Sequence, residues 1–359
     1  MKCSRLLCYS ILSICFFSCT KKANESLLDF FQEQYSLSFS EFEIQKDSIA
    51  VIQGLFCSDT SLLVIDYYLG DSYSLFDAFT GNFITRFGKI GQGPGEIPSS
   101  SPGYLDRGRF ISYYPGSELG SMVVYEIDSL KLNTQKKMSL STKYNISDAS
   151  LSRIIVLDDS TFVGAGLYLG EYQYVMFNAR NEVIDYSIKI FNFEDDNYNG
   201  FHKFLSNQGY IGKHPSKNKF VYALRNSSNI DFMDIVDNKF DLIKSVHAGD
   251  PQLIPETQDF MNFVMPKDNS IIGFINLSVT RNYVYALYSD KTFADSDGQS
   301  NRRCSNIILV FDWNGNPVKR YNLDSEAYYI SVNEFNNKLY AASIDTAGGW
   351  TILTYPIFP

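Results

Sequence analysis

From residue 39 onward the chain alternates short apolar runs, rich in Tyr, Phe, Ile and Val, with clusters of Asn, Asp, Gly and Ser. The first set forms strands and the second forms turns. Residues 62–66 (LLVID) precede 73–77 (YSLFD), which runs into an aspartate; Thr80-Gly81-Asn82 follows, then 83–87 (FITRF). The same order returns at 283–288, 306–312, Asn314-Gly315-Asn316 and 317–323, with further copies over 162–190 and 220–246. Only 27–35, with Leu27, Leu28, Phe30, Phe31 and Tyr35, has helical spacing.

The repeat predicts the architecture. Third-strand cores fall near 73, 122, 173, 230, 307 and 351, so six units recur at intervals of 44 to 77 residues. Four antiparallel strands per unit, with no helices between units to build a parallel sheet, predict an all-β six-bladed propeller. The last unit holds three strands, at 328–332, 339–343 and 350–355. An N-terminal strand at 39–44 is expected to complete this last blade and close the ring, which would cover the sheet edges of an open array. A solenoid or a pair of sandwiches is the rival arrangement.

The start of the chain carries an address. Lys2 and Arg5 precede an apolar run of 12 residues, 6–17, shorter than the roughly 20 that cross a bilayer, and this predicts a signal peptide. Phe16-Phe17-Ser18-Cys19 resembles a bacterial lipobox relaxed at the usual leucine position. That resemblance implies cleavage before Cys19 and diacylglycerol on its sulfur. The expected plan is a lipoprotein signal peptide over 1–18, a lipidated N-terminus and tether over 19–37, and the propeller over 38–359. Cys57 and Cys304, the cysteines left after Cys19, match no zinc or redox spacing and are expected to be separate thiols.

Composition narrows the partners. With 45% hydrophobic and 15% aromatic residues the chain can bury a large core, and 40 acidic against 31 basic residues (formal charge −9) argue against nucleic acid. Loss of the signal leaves 29 basic residues against 40 acidic, so the mature surface has no attraction for anionic lipid. Membrane contact is expected through the lipid anchor.

Residues 87–97 (FGKIGQGPGEI) resemble the signature of the TolB-like six-bladed propeller lipoproteins of Bacteroidetes. The resemblance implies an envelope lipoprotein with no agreed enzymatic activity. Lys21 and Lys22 stand where surface-displayed members carry acidic residues, so a periplasm-facing anchor is expected over cell-surface display. Physically, Gly91, Gly93 and Gly95 around Pro94 allow a sharp turn that serves either as a crossover between blades or as a ligand loop. Glu96 stands where a phosphate loop would place lysine.

Four long connections, 89–104, 191–208, 249–268 and 291–303, fall on one face of such a propeller; the opposite face is expected to carry short turns such as Asp158-Asp159 and Ser216-Lys217. Phe193, Tyr198, Phe201, Phe260, Met261 and Phe263 lie in them, and either wall a binding surface or cap the ring. Candidate ligand-binding residues on this face are Gln92, Glu96, Tyr198, Phe260, Asp297 and Arg302. His202, His214 and His247 lack metal-ligand spacing and read as ordinary surface or strand residues. Asp295-Ser296-Asp297-Gly298 lacks the remaining acidic positions of a calcium loop and reads as a solvated turn. Asp128-Ser129-Leu130 and three similar triplets resemble an O-glycan acceptor.

The expected function is therefore a non-enzymatic binding or scaffolding propeller that recognises an envelope protein or glycan, with no catalytic residue, metal or cofactor. The alternative is a lactonase-like metal-dependent hydrolase or lyase, with Ca2+ in the central channel held by Glu96, Asn226 and Asp297. Blocking lipoprotein signal peptidase is expected to leave an unprocessed precursor on a denaturing gel; unchanged processing would remove the lipid anchor at Cys19.

Overall fold

The computed structural model describes residues 26–45, 49–66, 71–91, 93, 96–97, 102–114, 120–132, 138–190, 198–249, 251–258, 261–295 and 302–358. Polar turns reverse the strands into six antiparallel sheets arranged as the blades of a propeller. Blade 1 is Ile52–Cys57, Ser61–Asp66, Asp71–Asp77 and Phe83–Lys89. Blade 2 is Gly103–Asp106, Arg109–Tyr114, Gly120–Glu126 and Met138–Tyr144. Ala149–Val156, Thr161–Tyr168, Tyr172–Asn178 and Val183–Lys189 form blade 3. Gly209–Lys213, Lys219–Leu224, Ile230–Val236 and Lys239–Val246 form blade 4. Blade 5 is Ile271–Val279, Tyr283–Thr292, Ser305–Asp312 and Pro317–Ala327. Blade 6 takes Tyr329–Val332, Lys338–Ile344 and Trp350–Pro356 from the C-terminal end of the chain and Ser40–Phe42 from the N-terminal end. The first strand of each blade lines a central channel, and that of blade 6 lies against that of blade 1.

The habit of strands running into Asp or Asn has a local cause. Asp77 Oδ1 accepts the N–H groups of Phe79 (3.0 Å) and Thr80 (2.8 Å), and Asp312 Oδ1 accepts those of Asn314 (2.9 Å) and Asn316 (2.8 Å). Asn178 Oδ1 does the same for Arg180 and Glu182. Each side chain satisfies the donors of the turn between the third and fourth strands. Gly81, at φ 71°, is required in the first of these, because a Cβ there would lie 1.9 Å from the Glu43 carbonyl oxygen.

The buried apolar residues divide into six clusters, one between each pair of neighbouring blades. Tyrosines bridge all six interfaces. Tyr73 bonds Ser112 Oγ from blade 1 to blade 2 (2.5 Å), and the Val156 N–H of blade 3 donates to Tyr104 of blade 2 (2.6 Å). Tyr174 donates to Asp231 from blade 3 to blade 4 (2.8 Å), and Tyr288 meets Ser228 between blades 5 and 4 (2.6 Å). Tyr285 reaches Asn336 of blade 6 (3.0 Å), and Tyr340 reaches the Ala78 carbonyl of blade 1 (2.7 Å). The ring of each residue fills the apolar layer while its hydroxyl supplies a directional tie across it.

The N-terminal segment departs from the helix and tether expected there. Leu27–Phe30 is a single 3-10 turn, closed by a reciprocal box between Ser26 and Asp29, and the chain is extended from Phe31. Leu27 and Phe31 are buried between blades 4 and 5, with the Phe31 ring edge-on to Phe311 at 5.1 Å. Gln34–Leu37 then pairs in parallel with Pro317–Ala327 of blade 5, and Ser40–Phe42 pairs antiparallel with Trp350–Pro356 of blade 6. The stretch from Ser26 thus clasps three blades, because two apolar residues four apart gain more between sheets than on a solvated helix.

Other departures are local. Blade 2 replaces the expected tight turn between its third and fourth strands with α1 (Ile127–Lys131), whose Ile127 and Leu130 join the core between blades 1 and 2. In the long connections, α2 (Gly200–Ser206) packs on a hairpin of Leu253–Gln258 and Met261–Pro266. Phe31→Ala is expected to destabilise the fold by about 3–5 kcal/mol, read as a lowered urea midpoint at unchanged slope; a free tether there would leave the midpoint unmoved.

Candidate functional site

The first strands bring six blades to one cavity of about 530 Å3. Gln53, Arg107, Arg153, Tyr210, Asn276 and Tyr329 each represent one blade in its wall. Its mouth is formed by short turns, including Ser58 to Thr60, Arg107-Gly108, Pro215 and Glu334, so this cavity opens on the face opposite the long connections. A second cavity of about 350 Å3 holds Arg303, Tyr328 and Trp350 and shares Gln53, Ile65, Pro102 and Tyr329 with the first. Those four residues form the waist of the channel.

Cations crowd one side of the wall. Asp106, at the end of the first strand of blade 2, is buried and meets three of them: Lys213 Nζ at 3.2 Å, Arg107 Nε at 3.3 Å and Arg109 Nη2 at 3.5 Å. Burial pushes the Lys213 ammonium down, opposed by Asp106, so one carboxylate holds a buried amine beside two guanidinium groups. Arg153, on the first strand of blade 3, donates from Nη1 to the Ser152 carbonyl at 2.8 Å and lies over the Tyr210 ring at 5.5 Å. A bulge in the pairing of this strand falls between Leu151 and Arg153.

The opposite side carries Cys57, Asp59, Ser331 and Glu334. Ser331 Oγ accepts the Cys57 N–H at 2.7 Å and donates to its sulfur at 3.3 Å. Burial pushes the Cys57 thiol up to about 12, so it stays protonated at neutral pH and is a poor nucleophile. Cys304 is a second free thiol, held against Glu326 at 3.1 Å. Among the described residues no group of three His, Cys, Asp or Glu converges as a metal site.

Of the residues expected to bind ligand, the three that are described, Glu96, Tyr198 and Arg302, do not line this cavity. Glu96 folds back on its own loop, accepting Lys89 Nζ (2.7 Å) and the Gly93 N–H (2.7 Å). Ile90 and Ile97 bridge in parallel, making the segment a crossover between blades 1 and 2. Tyr198 donates to the Leu253 carbonyl (2.6 Å), and Arg302 caps the Phe293 ring at 4.8 Å. Cys19, Gln92, Phe260 and Asp297 lie outside the described residues. Missed by sequence reasoning were Arg153, Tyr210 and Lys213 on inner strands and Arg107 in the turn that follows one, none of them within a local motif.

Two histidines read as ordinary are buried ties. His202 Nδ1 accepts the Asn199 N–H and its Nε2 meets the Glu256 carbonyl at 3.0 Å, joining α2 to the hairpin. His214 Nδ1 accepts the N–H groups of Ser216 and Lys217, both at 3.0 Å, while Nε2 meets the Arg281 carbonyl of blade 5 at 3.1 Å beside the cavity mouth. Burial pushes its imidazole down to about 4.

A family model described as TolB-like 6-blade propeller-like matches residues 42–335. Among solved structures, a Bacteroides fragilis protein described as exported is 13% identical, covers 91% of this chain and 99% of its own, and has a TM-score of 0.54. Hydrazine synthase of Kuenenia stuttgartiensis is 10% identical over 90% of this chain and 95% of its own, at a TM-score of 0.44. No curated protein matches the chain in sequence.

A depressed His214 makes the unfolded chain the better proton binder. Its stabilising contribution is complete above about pH 6.5 and falls as pH drops toward 4. Between pH 7 and pH 4.5 the protein is expected to lose on the order of 2 kcal/mol more than His214→Asn, compared by denaturant titration at each pH. Parallel losses in both proteins would remove His214 as the cause.

Proposed function

The chain belongs to the TolB-like six-bladed propeller family, and from that premise we propose that it is an exported binding propeller whose ligand enters the central cavity. The observation that carries this reading is the cavity itself: six blades contribute to a volume within the range of small-molecule sites, and its wall mixes tyrosine rings with a few fixed polar groups. The strands that frame it are the innermost of each sheet, so the site is preformed and binding orders little further backbone. Burial keeps the Cys57 thiol protonated, which disfavours it as a nucleophile in the cavity. Lipid on Cys19, facing the periplasm, would hold the propeller at a membrane, and the exported Bacteroides fragilis protein of the same fold supports that address.

A second reading, a protein or glycan partner on the long-loop face, is favoured by one observation. Phe201, Met261 and Met265 stay exposed where α2 meets the hairpin, and flexible methionines suit adaptable contacts.

Thermal-shift screening of the purified protein against small sugars and organic acids tests the first reading. Gln53→Trp, at an exposed position on the channel waist, is expected to keep the melting temperature of the parent and to abolish every ligand shift. Ligands that stabilise the parent and Gln53→Trp equally would overturn the cavity as the site.

A further inference from the structure

The charge of the cavity runs against that of the protein. The chain carries a formal −9, yet the wall presents five Lys or Arg side chains against three carboxylates. Several are neutralised locally: Lys131 lies 3.9 Å from Asp128, Arg281 lies 3.7 Å from Glu334, and Asp106 gathers Lys213 and Arg107. Arg153 is the exception. Among the described residues it makes one hydrogen bond, to the Ser152 carbonyl, and stacks over the Tyr210 ring, with the Tyr113 and Tyr222 phenols nearby, and no carboxylate pairs with it.

A guanidinium does not shed its proton at any physiological pH. Holding it half-buried in the cavity wall without a counter-charge costs stability, and a methionine of similar length would avoid that cost. One neighbour shares its condition. Tyr113 is 3% exposed and lines the same cavity, and its hydroxyl has no hydrogen-bond partner among the described residues. Tyr104, Tyr210 and Tyr329 add ring faces to the wall. The arrangement therefore offers the guanidinium N–H donors left beside the Nη1 bond to Ser152, one unspent phenol and several aromatic faces within one cavity.

We infer that the cavity takes a small ligand with a ring body and a carboxylate, the carboxylate lying on Arg153 and within reach of the Tyr113 hydroxyl, the ring against the tyrosines. This deepens the cavity-binding reading and rests on it. A carboxylate matches the donor set because its two oxygens lie in one plane and meet the guanidinium side by side. A phosphate offers three or four oxygens in a tetrahedron, which a planar pair of donors matches less well. Two sources supply the shared chemistry: the uronic acid of an acidic sugar and an aromatic acid.

Calorimetric titration distinguishes them, using D-glucuronate against D-glucose and 4-hydroxybenzoate against phenol, with inorganic phosphate as a further arm. At least one acid is expected to bind tenfold or more tighter than its neutral counterpart, and its affinity is expected to fall as salt rises. Arg153→Met is expected to weaken that acid by about 10- to 100-fold and to leave the melting temperature unchanged or higher. Tyr113→Phe is expected to weaken it a few-fold with the fold intact. Failure of both acids to outbind their neutral counterparts, or binding of phosphate alone, overturns the inference. An acid that Gln53→Trp excludes but Arg153→Met retains overturns the carboxylate assignment while leaving the cavity as the site; an acid that both variants retain overturns both.

Discussion

Every blade buries apolar residues on both faces, and no blade can do so unless it has a neighbour on each side. The interface between blade 6 and blade 1 is thus the constraint on which the rest depends. Without it Ile52, Leu62, Val64 and Phe76 on one side and Tyr340, Ala342 and Ile352 on the other would face water. At roughly 25 cal/mol per Å2 of apolar surface, one open interface of that size would cost several kcal/mol, comparable with the whole net stability of an ordinary domain. The extended N-terminal segment works toward the same end from outside, with Phe31 between blades 4 and 5, Gln34–Leu37 on blade 5 and Ser40–Phe42 on blade 6.

Closure also accounts for the chemistry of the centre. Packing six blades around an axis leaves a channel between their inner strands, so side chains projecting from those strands face one another across it whatever their separation in sequence. Arg153 and Lys213 are 60 residues apart and line one cavity. The acidic surface and the cationic wall then belong to different solvents: exposed carboxylates are hydrated and screened, while charges in the channel act through a shorter, less polar path. The long connections build a second layer on the other face, where α2, the hairpin and His202 hold one another.

The blades were legible because their signal is local. The six third-strand cores near 73, 122, 173, 230, 307 and 351 all fall in or beside the third strands of the sheets, and the Asp or Asn before each polar turn could be read from sequence alone because the turn it caps is only a few residues long. The N-terminal segment was misread because Leu27, Phe31 and Tyr35 obey helical spacing, and only the groove between blades 4 and 5 offers two of them a better place. His202 and His214 looked ordinary because their partners, the carbonyls of Glu256 and Arg281, lie 54 and 67 residues away. The glycine-rich stretch at 87–97 stood out, yet it closes on itself through Glu96, since a motif marks unusual backbone and does not say whom that backbone serves.

The sequence by itself determined the all-β class, the number of blades and the short turns between paired strands, because alternation and turn chemistry act over a few residues. Only the tertiary structure decided that the central cavity opens on the short-turn face, that Asp106 gathers three cations and that Arg153 pairs with no carboxylate among the described residues. Those facts depend on how six inner strands meet around an axis, and that meeting is set by the burial of all six interfaces together, a sum over the whole ring that no stretch of the chain encodes alone.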